Sequence, residues 1–243
     1  MSGPTVSRAA RIFTWLGCAA FVASLGYFIF FYTVTLDVAL PFESTAAIVR
    51  AIAVDAVLFT LFALHHSILA RPPIRQAVRA NISPTLERAL YVWVASALFA
   101  LVCFSWIRIP AGFVLIAEGP LLWIVRTAQF AGVALIVLAA RSIDPLELAG
   151  VRQLHGPRQP TDTAGVSRTF PYNLVRHPMY LGWMLTTLGT SPMTADRLLF
   201  AGIGALYLVV AIPWEERALV NAFGDAYVRY QATVSARLIP RIW

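Results

Sequence analysis

The sequence predicts an all-α protein of a cell membrane: a polytopic bundle of about six transmembrane helices followed by an amphipathic helix. Of its 243 residues, 59% are hydrophobic and only 13% are charged, whereas soluble domains carry roughly 25% charged residues. Several apolar runs are long enough to cross a bilayer, because spanning about 30 Å of hydrocarbon takes roughly 20 helical residues. The basic residues concentrate between these runs. These three observations exclude a water-soluble globule.

Four long apolar runs predict the first four helices. They cover residues 12–33, 46–69, 88–107 and 121–141. Two shorter runs, at 178–193 and 198–214, predict a short helical hairpin whose first arm is interrupted by two glycines and Pro192. Such segments can lie at membrane depth where surrounding protein buries their backbone. We therefore expect six helices in a single domain covering residues 1–243.

Arginine supplies all 19 basic residues, and its distribution indicates the orientation of the chain. Short loops rich in arginine stay in the cytoplasm. With the N-terminus inside, only Arg50, Arg108 and Arg197 fall in outer loops. We therefore predict an integral protein of the bacterial inner membrane with both termini cytoplasmic. The arginines do not gather on one basic face, so we expect no nucleic-acid partner.

Polar residues concentrate in two segments that this orientation places in the cytoplasm. The first is a loop over residues 142–177, and the second is a C-terminal helix over residues 215–231. In that helix Leu219, Phe223, Tyr227 and Tyr230 recur at helical spacing and form one apolar stripe. The stripe is typical of a helix lying against a membrane or against other helix ends.

The string RHPMYLGW, residues 176–183, stands where the polar loop enters the fifth predicted helix. Proline is favoured in the first turn of a helix. Pro178 therefore leaves Arg176 and His177 outside the helix, free to face a ligand. The alternative interpretation is that Arg176 only fixes orientation and that His177 caps the helix.

The string EERALVNAFGDAYVRY, residues 215–230, follows the sixth predicted helix directly. Acidic residues contribute little to membrane orientation. Glu215 and Glu216 therefore suggest a site that binds a cation, or an ion pair with Arg176 or Arg217. The alternative is that the two carboxylates complement the dipole at a helix start.

Together the two strings resemble the signature of the isoprenylcysteine carboxyl methyltransferase-like superfamily of membrane enzymes. These enzymes use S-adenosylmethionine, and the superfamily includes phospholipid N-methyltransferases. Segments 65–76, 86–98 and 191–201 are similar to the methanethiol S-methyltransferase group and its NnrU-type relatives. The resemblance covers roughly residues 60–241. Segment 154–173 departs from the family pattern, so the resemblance alone does not specify the substrate.

The resemblance implies a cofactor pocket for S-adenosylmethionine. The cofactor-binding residues it implies are Arg152, Gln153, Arg176, His177, Tyr180, Glu215, Glu216 and Tyr230. Carboxylate and guanidinium groups would meet the charged ends of the cofactor, and tyrosine faces would stabilise the sulfonium. The predicted catalytic residues are His66, Arg176 and Glu216. His65 or His66 is placed to help deprotonate a thiol, because the thiolate is the nucleophile; the alternative is that both histidines only hydrogen-bond neighbouring helices.

We therefore expect an S-adenosylmethionine-dependent methyltransferase, a transferase of the membrane that acts on a small or lipophilic acceptor. A thiol such as methanethiol is the first choice, and an isoprenylcysteine carboxyl group or a phospholipid amine is the alternative. No GxGxxG string is present, which excludes a soluble Rossmann-type enzyme. The basic residues after Glu216 are too few to favour the NADPH site of a sterol reductase.

A non-enzymatic haem-binding or transport protein that uses His65, His66 and His177 also stays open. We expect no metal site, because Cys18 and Cys103 both lie in apolar runs and fit small packing roles. The expected partners are a methyl acceptor and membrane lipid. We expect no obligate protein partner.

Overall fold

The computed structural model describes residues 6–69, 72–155, 167–240 and 242, and they are almost entirely helical. The helices are α1 Arg8–Thr33, α2 Thr45–Ile68, α3 Pro72–Arg79, α4 Pro84–Ser105, α5 Gly119–Ile143, α6 Pro145–Leu148, α7 Pro178–Leu188, α8 Ala195–Phe223 and α9 Asp225–Thr233. Two-residue strands β1 (Val114–Leu115) and β2 (Met193–Thr194) form one antiparallel pair. Short 3₁₀ turns cover Thr35–Asp37 and Arg152–His155.

Five of the described segments are long and apolar enough to cross a membrane. They are Arg8–Asp37, Thr45–Ile68, Leu86–Ser105, Gly119–Ile143 and Ala195–Phe223. Large apolar side chains are widely exposed along them, as at Phe104 (78%) and Trp123 (73%). In water such surface would be unfavourable, whereas lipid covers it. The predicted class, an all-α polytopic membrane protein, is confirmed.

The chain divides into two compact units, and the first comprises residues 1–36, 43–110 and 145–158. In this unit α4 packs against α1 and α2. Gly17 of α1 lies against Trp93 of α4, whose indole donates to the carbonyl of Phe13 over 3.0 Å. The rings of Phe28 and Phe99 approach to 5.4 Å. Aromatic packing and close helix approach at glycine therefore hold α1 against α4.

The second unit comprises residues 37–42, 111–144 and 159–243, and α7 packs along α5 in it. Gly182 of α7 meets Gly132 of α5 so closely that a Cβ built on Gly132 would lie 2.6 Å from the Gly182 carbonyl oxygen. Further along, Gly189 lies beside Val125 and Gln129. The two helices are therefore antiparallel and packed nearly backbone to backbone, as small residues permit between helices in membranes.

The fifth predicted helix differs from the structure, because α7 has only 11 residues. At 1.5 Å per residue it measures about 16 Å, roughly half of a hydrocarbon core. Residues 189–194 complete the path: they leave α7 and end at Thr194, which pairs with Val114 just before the start of α5. Segment 178–194 thus follows α5 from one end to the other.

Side chains satisfy the non-helical backbone of this segment. Arg126 donates to the carbonyl of Ser191 over 3.0 Å, and the Ser191 hydroxyl accepts from the amide of Ala117 at the same distance. Arg197, which is 3% exposed, donates to the carbonyl of Pro192 over 2.7 Å. Non-helical backbone at membrane depth requires such partners. The hairpin of α7 and α8 is present, with a first arm that is half helix and half irregular.

The C-terminal part also differs in its boundaries. The predicted helices 198–214 and 215–231 are not divided at Trp214, because α8 continues through Pro213 to Phe223. Hydropathy falls at Glu215, but glutamate, arginine, alanine and leucine all favour helix and sustain it. The helix ends at Gly224, whose φ of 53° lies in a region that glycine adopts readily. Of the predicted loop 142–177, residues 156–166 lie outside the described part of the chain.

Candidate active site

The segment that follows α9, residues 234–240 and here called the C-terminal segment, fixes the backbone just before α7. The amide of Arg176 donates to the carbonyl of Ala236 over 2.9 Å, and the amide of His177 donates to the carbonyl of Arg237 over 3.0 Å. Pro178 occupies the first turn of α7, with His177 in the N-cap position. Both polar side chains are therefore held outside the helix, as the sequence predicts.

The side chain of Arg176 is anchored by α8 and by the C-terminal segment. Its Nε donates to Glu216 Oε1 over 2.6 Å, and its Nη1 donates to the carbonyls of Val234 and Ser235, each over 2.9 Å. The Arg176 and Glu216 side chains are each only 7% exposed. A guanidinium this buried is stable only when its donors are paired, and three of its hydrogen bonds are made here.

Glu216 is surrounded by donors on both of its carboxylate oxygens. Besides Arg176, Oε1 lies 3.3 Å from His177 Nε2. Oε2 accepts from Gln231 Nε2 over 3.4 Å and lies 3.4 Å from Arg237 Nε. Glu216 therefore joins α7, α9 and the C-terminal segment, and its charge is already neutralised by protein groups.

Glu215, its neighbour, is more accessible. The side chain of Glu215 is 41% exposed, and its Oε2 accepts a short hydrogen bond from the Tyr180 hydroxyl. His177 Nδ1 lies 3.6 Å from the same oxygen, and the rings of His177 and Tyr180 stack with centroids 5.3 Å apart. The imidazole thus lies between two carboxylates while Glu215 keeps a face open to a ligand.

Three tyrosines form a wall beside these groups. Tyr230 donates its hydroxyl to the carbonyl of Tyr172 over 2.7 Å, and its ring lies 5.6 Å from that of Tyr227. The hydroxyls of Tyr172 and Tyr227 are buried and find no hydrogen-bond partner among the described residues. A buried hydroxyl without a partner is unfavourable, so both indicate a place where a polar ligand or water would bind.

Burial also controls the ionisation of these phenols. It raises the pKa of Tyr230 to about 12, and the charge of Glu216 contributes to the rise while Arg176 opposes it. Burial likewise raises the pKa values of Tyr172 and Tyr227. All three phenols therefore stay neutral at physiological pH, presenting hydroxyl dipoles and aromatic faces rather than charges.

A cavity brings these groups together at the start of α7. Its lining comprises Ile143, Ser167, Tyr172, Arg176, His177, Pro178, Met179, Tyr180, Glu215, Leu219, Phe223, Tyr227 and Tyr230. Glu215 and His177 lie on its polar side, while tyrosine rings and apolar side chains supply the remainder. One accessible carboxylate beside several aromatic faces suits a positively charged ligand with an apolar part.

The structure brings six of the predicted site residues together in the second unit: Arg176, His177, Tyr180, Glu215, Glu216 and Tyr230. The other three belong to the first unit. His66 Nδ1 lies 2.8 Å from the Tyr91 hydroxyl, and Gln153 has a buried Oε1 without a hydrogen-bond partner among the described residues. Arg152 begins the 3₁₀ turn that packs against α4. The roles of these nine residues stay predictions.

Sequence reasoning did not identify the two lining tyrosines with unpartnered hydroxyls, Tyr172 and Tyr227, as site residues. Tyr227 was identified only as part of an apolar stripe, and Tyr172 lies in the segment that departs from the family pattern. A tyrosine in an apolar stripe gives no signal of whether its hydroxyl finds a partner. The string YVRY does contain the signal that its two tyrosines share a helix face, because residues three apart are neighbours.

Comparison with known proteins gives a consistent assignment. The NnrU protein family model matches residues 56–239. Methanethiol S-methyltransferase 2 of Bradyrhizobium diazoefficiens is 33% identical over 196 residues, covering 80% of this chain and 75% of that protein. Methanethiol S-methyltransferase of Mycobacterium tuberculosis is 34% identical over 234 residues, covering 90% and 91% of the two chains.

Similarity extends to a vertebrate protein. Nurim of Danio rerio is 26% identical over 200 residues, which cover 75% of this chain and 67% of nurim. No solved structure matches this chain. The family match runs from the middle of α2 to beyond the end of α9 and includes both strings that contribute to the cavity. The chain therefore belongs to the NnrU protein family.

Proposed function

We propose that this protein is an integral membrane methyltransferase that uses S-adenosylmethionine to methylate a small thiol, with methanethiol as the acceptor. The observation that carries the proposal is the accessible carboxylate of Glu215, held by Tyr180 and His177 at the wall of a tyrosine-lined cavity. The names of the methanethiol S-methyltransferase relatives support the acceptor. The names of these relatives do not specify the methyl donor, so we infer the donor from the chemistry of the cavity.

The cavity residues fit S-adenosylmethionine in charge and in polarity. Glu215 is the partner for a cationic amino group or for hydroxyl donors, and charge-assisted contacts of this kind are among the stronger hydrogen bonds. The unpartnered hydroxyls of Tyr172 and Tyr227 are available to polar atoms of the ligand. The faces of the tyrosine rings suit a sulfonium through cation–π attraction.

When bound, S-adenosylmethionine supplies a methyl group on an electron-poor sulfonium that a thiolate can take without further activation. The protein's contribution is alignment and exclusion of water. Arg176 and Glu216 hold the wall of the cavity, since their buried ion pair ties α7 to α8. Glu215 and Tyr180 orient the ligand. Deprotonation of the thiol is a role that the sequence alone predicts for His66, which belongs to the first unit and whose Nδ1 lies 2.8 Å from the Tyr91 hydroxyl.

A haem-binding function is disfavoured by the surroundings of His177. Both of its ring nitrogens face carboxylates, at 3.6 Å and 3.3 Å. An axial ligand needs one nitrogen directed at the metal. The imidazole would have to leave Glu215 or Glu216 to serve, which would also uncouple it from the ion pair of Arg176.

We infer further that the protein lies in the bacterial inner membrane with its termini and this cavity on the cytoplasmic side. The arginine distribution supports this orientation. S-adenosylmethionine is made in the cytoplasm, and a donor site on that face needs no transport step. A small volatile thiol can reach the site from either compartment.

Assay of purified protein with methyl-labelled S-adenosylmethionine tests the function directly. Methanethiol, a prenylcysteine and a phosphatidylethanolamine are offered separately. Labelled dimethyl sulfide is measured in the headspace for methanethiol, and labelled product extracted into organic solvent is measured for the other two. We expect rapid labelling with methanethiol and little with the other two. Glu215→Gln should lower turnover at least tenfold, whereas Glu43→Gln, an exposed glutamate of the first unit, should not. Preferential labelling of the prenylcysteine or of the lipid would overturn the acceptor assignment.

A further inference from the structure

A second cavity lies on the opposite side of Glu216 from the first. Its volume is about 440 Å³, and its lining comprises Pro213, Glu216, Arg217, Val220, Asn221, Gln231 and Arg237. Of these residues none lines the tyrosine-walled cavity. Glu216 Oε1 faces Arg176 and His177, while its Oε2 faces Gln231 and Arg237. The two cavities are therefore separate.

The second cavity carries an excess of cationic and hydrogen-bond-donating groups. Arg217 and Arg237 both line it, and the one carboxylate present, Glu216, is already paired with Arg176. Arg217 is exposed and makes no hydrogen bond or ion pair with any described residue, and neither does the Asn221 side chain. Arg237 remains 36% exposed beside Glu216. A guanidinium and an amide with open donors suit an anion with several oxygens.

An exposed apolar stripe of α8 leads into this cavity. Leu206, Val210 and Pro213 are exposed, and at steps of three and four residues they continue into Arg217 and Asn221 on one helix face. Leu206 is 65% exposed and Val210 is 47% exposed. The face thus changes from apolar to cationic within a single turn. Trp214, half exposed beside it, suits the interface between lipid and water.

We propose that this face of α8 and the second cavity form a binding site for an anionic phospholipid. The phosphate meets Arg217 and Arg237 and accepts hydrogen bonds from Asn221 and Gln231, and one acyl chain lies along Leu206, Val210 and Pro213. A soluble anion would gain nothing from the apolar stripe, whereas a neutral lipid would gain nothing from the two guanidinium groups. An anionic amphiphile satisfies both halves of the face.

Calorimetric titration of the full-length protein in a neutral detergent tests the site. The ligands are short-chain phosphatidylglycerol, phosphatidylcholine with the same chains, glycerol phosphate and inorganic phosphate. We expect phosphatidylglycerol to bind at least tenfold tighter than the other three. Arg217→Gln should weaken its binding about fivefold, since one arginine near an anionic lipid contributes about that factor. Leu206→Asn should weaken phosphatidylglycerol but leave glycerol phosphate unchanged.

Arg229→Gln is the matched control, because it removes the same charge from the exposed surface of neighbouring α9 without lining the cavity. Its phosphatidylglycerol affinity should equal that of the wild type. If Arg217→Gln and Arg229→Gln weaken phosphatidylglycerol binding equally, the effect comes from general surface charge, and the proposal is overturned. Binding of inorganic phosphate as tightly as phosphatidylglycerol would overturn the lipid assignment, as would equal binding of phosphatidylcholine. All of the variants change exposed side chains and are therefore expected to fold. Gel filtration checks that they do.

Discussion

Arg176 and Glu216 form an ion pair over 2.6 Å that is buried on both sides, and it joins the start of α7 to α8. The pair holds the end of α8 that carries Glu215 and Glu216 beside the loop that precedes α7, and it leaves the Glu215 side chain 41% exposed. Both oxygens of Glu216 already have protein partners, whereas the Glu215 side chain stays accessible. We therefore expect a change at Glu216 to affect stability first and a change at Glu215 to affect ligand binding first.

Glu216→Gln should lower the stability of the protein substantially. Removing one charge of a buried pair costs about 3–5 kcal/mol, because the partner remains buried and uncompensated. The measurement is the apparent melting temperature in detergent. Glu118→Gln, an exposed glutamate before α5, is the control and should melt like the wild type. Equal melting of Glu216→Gln and the control would show that the pair contributes no stability.

Tyr180→Phe should weaken binding of S-adenosylhomocysteine while leaving the fold intact. The change keeps the ring that stacks on His177 but removes the hydroxyl that orients Glu215. A hydrogen bond to a charged group contributes about 1.5–3 kcal/mol, which corresponds to roughly a tenfold to hundredfold rise in Kd. Calorimetry measures the Kd, with Tyr27→Phe in α1 as a control. An unchanged Kd would exclude Glu215 as an oriented ligand group.

Gly132→Ala should destabilise the packing of α5 on α7. The new Cβ would lie 2.6 Å from the Gly182 carbonyl oxygen and equally close to Thr186, so backbone must move. Overpacking of this kind costs about 1–3 kcal/mol. Gly202→Ala in α8 is the matched control, because nothing lies within 4 Å of its Cβ. Its higher helix propensity should stabilise slightly, so the two variants are expected to shift the melting temperature in opposite directions.

Titration of the tyrosines should reveal the buried phenol of Tyr230. Its pKa is raised by burial to about 12, from an ordinary value near 10. The folded state therefore releases this proton at a higher pH than the unfolded state does. Tyr230 therefore contributes stability that is complete below about pH 10 and is lost as the pH rises towards 12. The tyrosinate absorbance of wild type minus Tyr230→Phe should stay near zero at pH 10 and grow above it. A difference already complete at pH 10 would contradict the burial of this phenol.

Hydropathy was sufficient to predict most of the fold. The first four helices lie within a few residues of their predicted ranges, since apolar length alone decides whether a helix can cross a membrane. It was insufficient at α7, where glycines and Pro192 shorten the helix and polar contacts from Arg126 and Arg197 support the remaining path. Those contacts depend on tertiary structure, and the periodicity of the sequence cannot predict them.

The candidate site could be predicted to a similar extent. Two local strings contained Arg176, His177 and Tyr180 on one side and Glu215 on the other, and their chemistry indicated a charged site. The different exposure of Glu215 and Glu216 could not be read from the sequence, because adjacent helical residues differ by about 100° and either could face the cavity. The cavity that Tyr172 and Tyr227 help to line likewise depends on contacts between segments that are distant in the chain.

Both termini should lie on the cytoplasmic side of the membrane. The five long helices alone would place the termini on opposite sides, whereas segment 178–194 follows α5 along its whole length and supplies a sixth crossing. An even number of crossings returns the chain to the side on which it began. The arginine distribution independently favours the cytoplasm for that side.

Reporter fusions at the two ends test this topology. A fluorescent protein that matures only in the cytoplasm should be bright at both ends, and alkaline phosphatase, active only outside, should be inactive at both. The control is a phosphatase inserted after Gly112, in the segment between α4 and α5, which should be active. An active phosphatase at the C-terminus alone would mean that segment 178–194 turns back within the membrane. The start of α7 and the end of α8 would then lie on opposite sides, which their direct contact through Arg176 and Glu216 forbids, so that result would contradict the structure as well as the orientation.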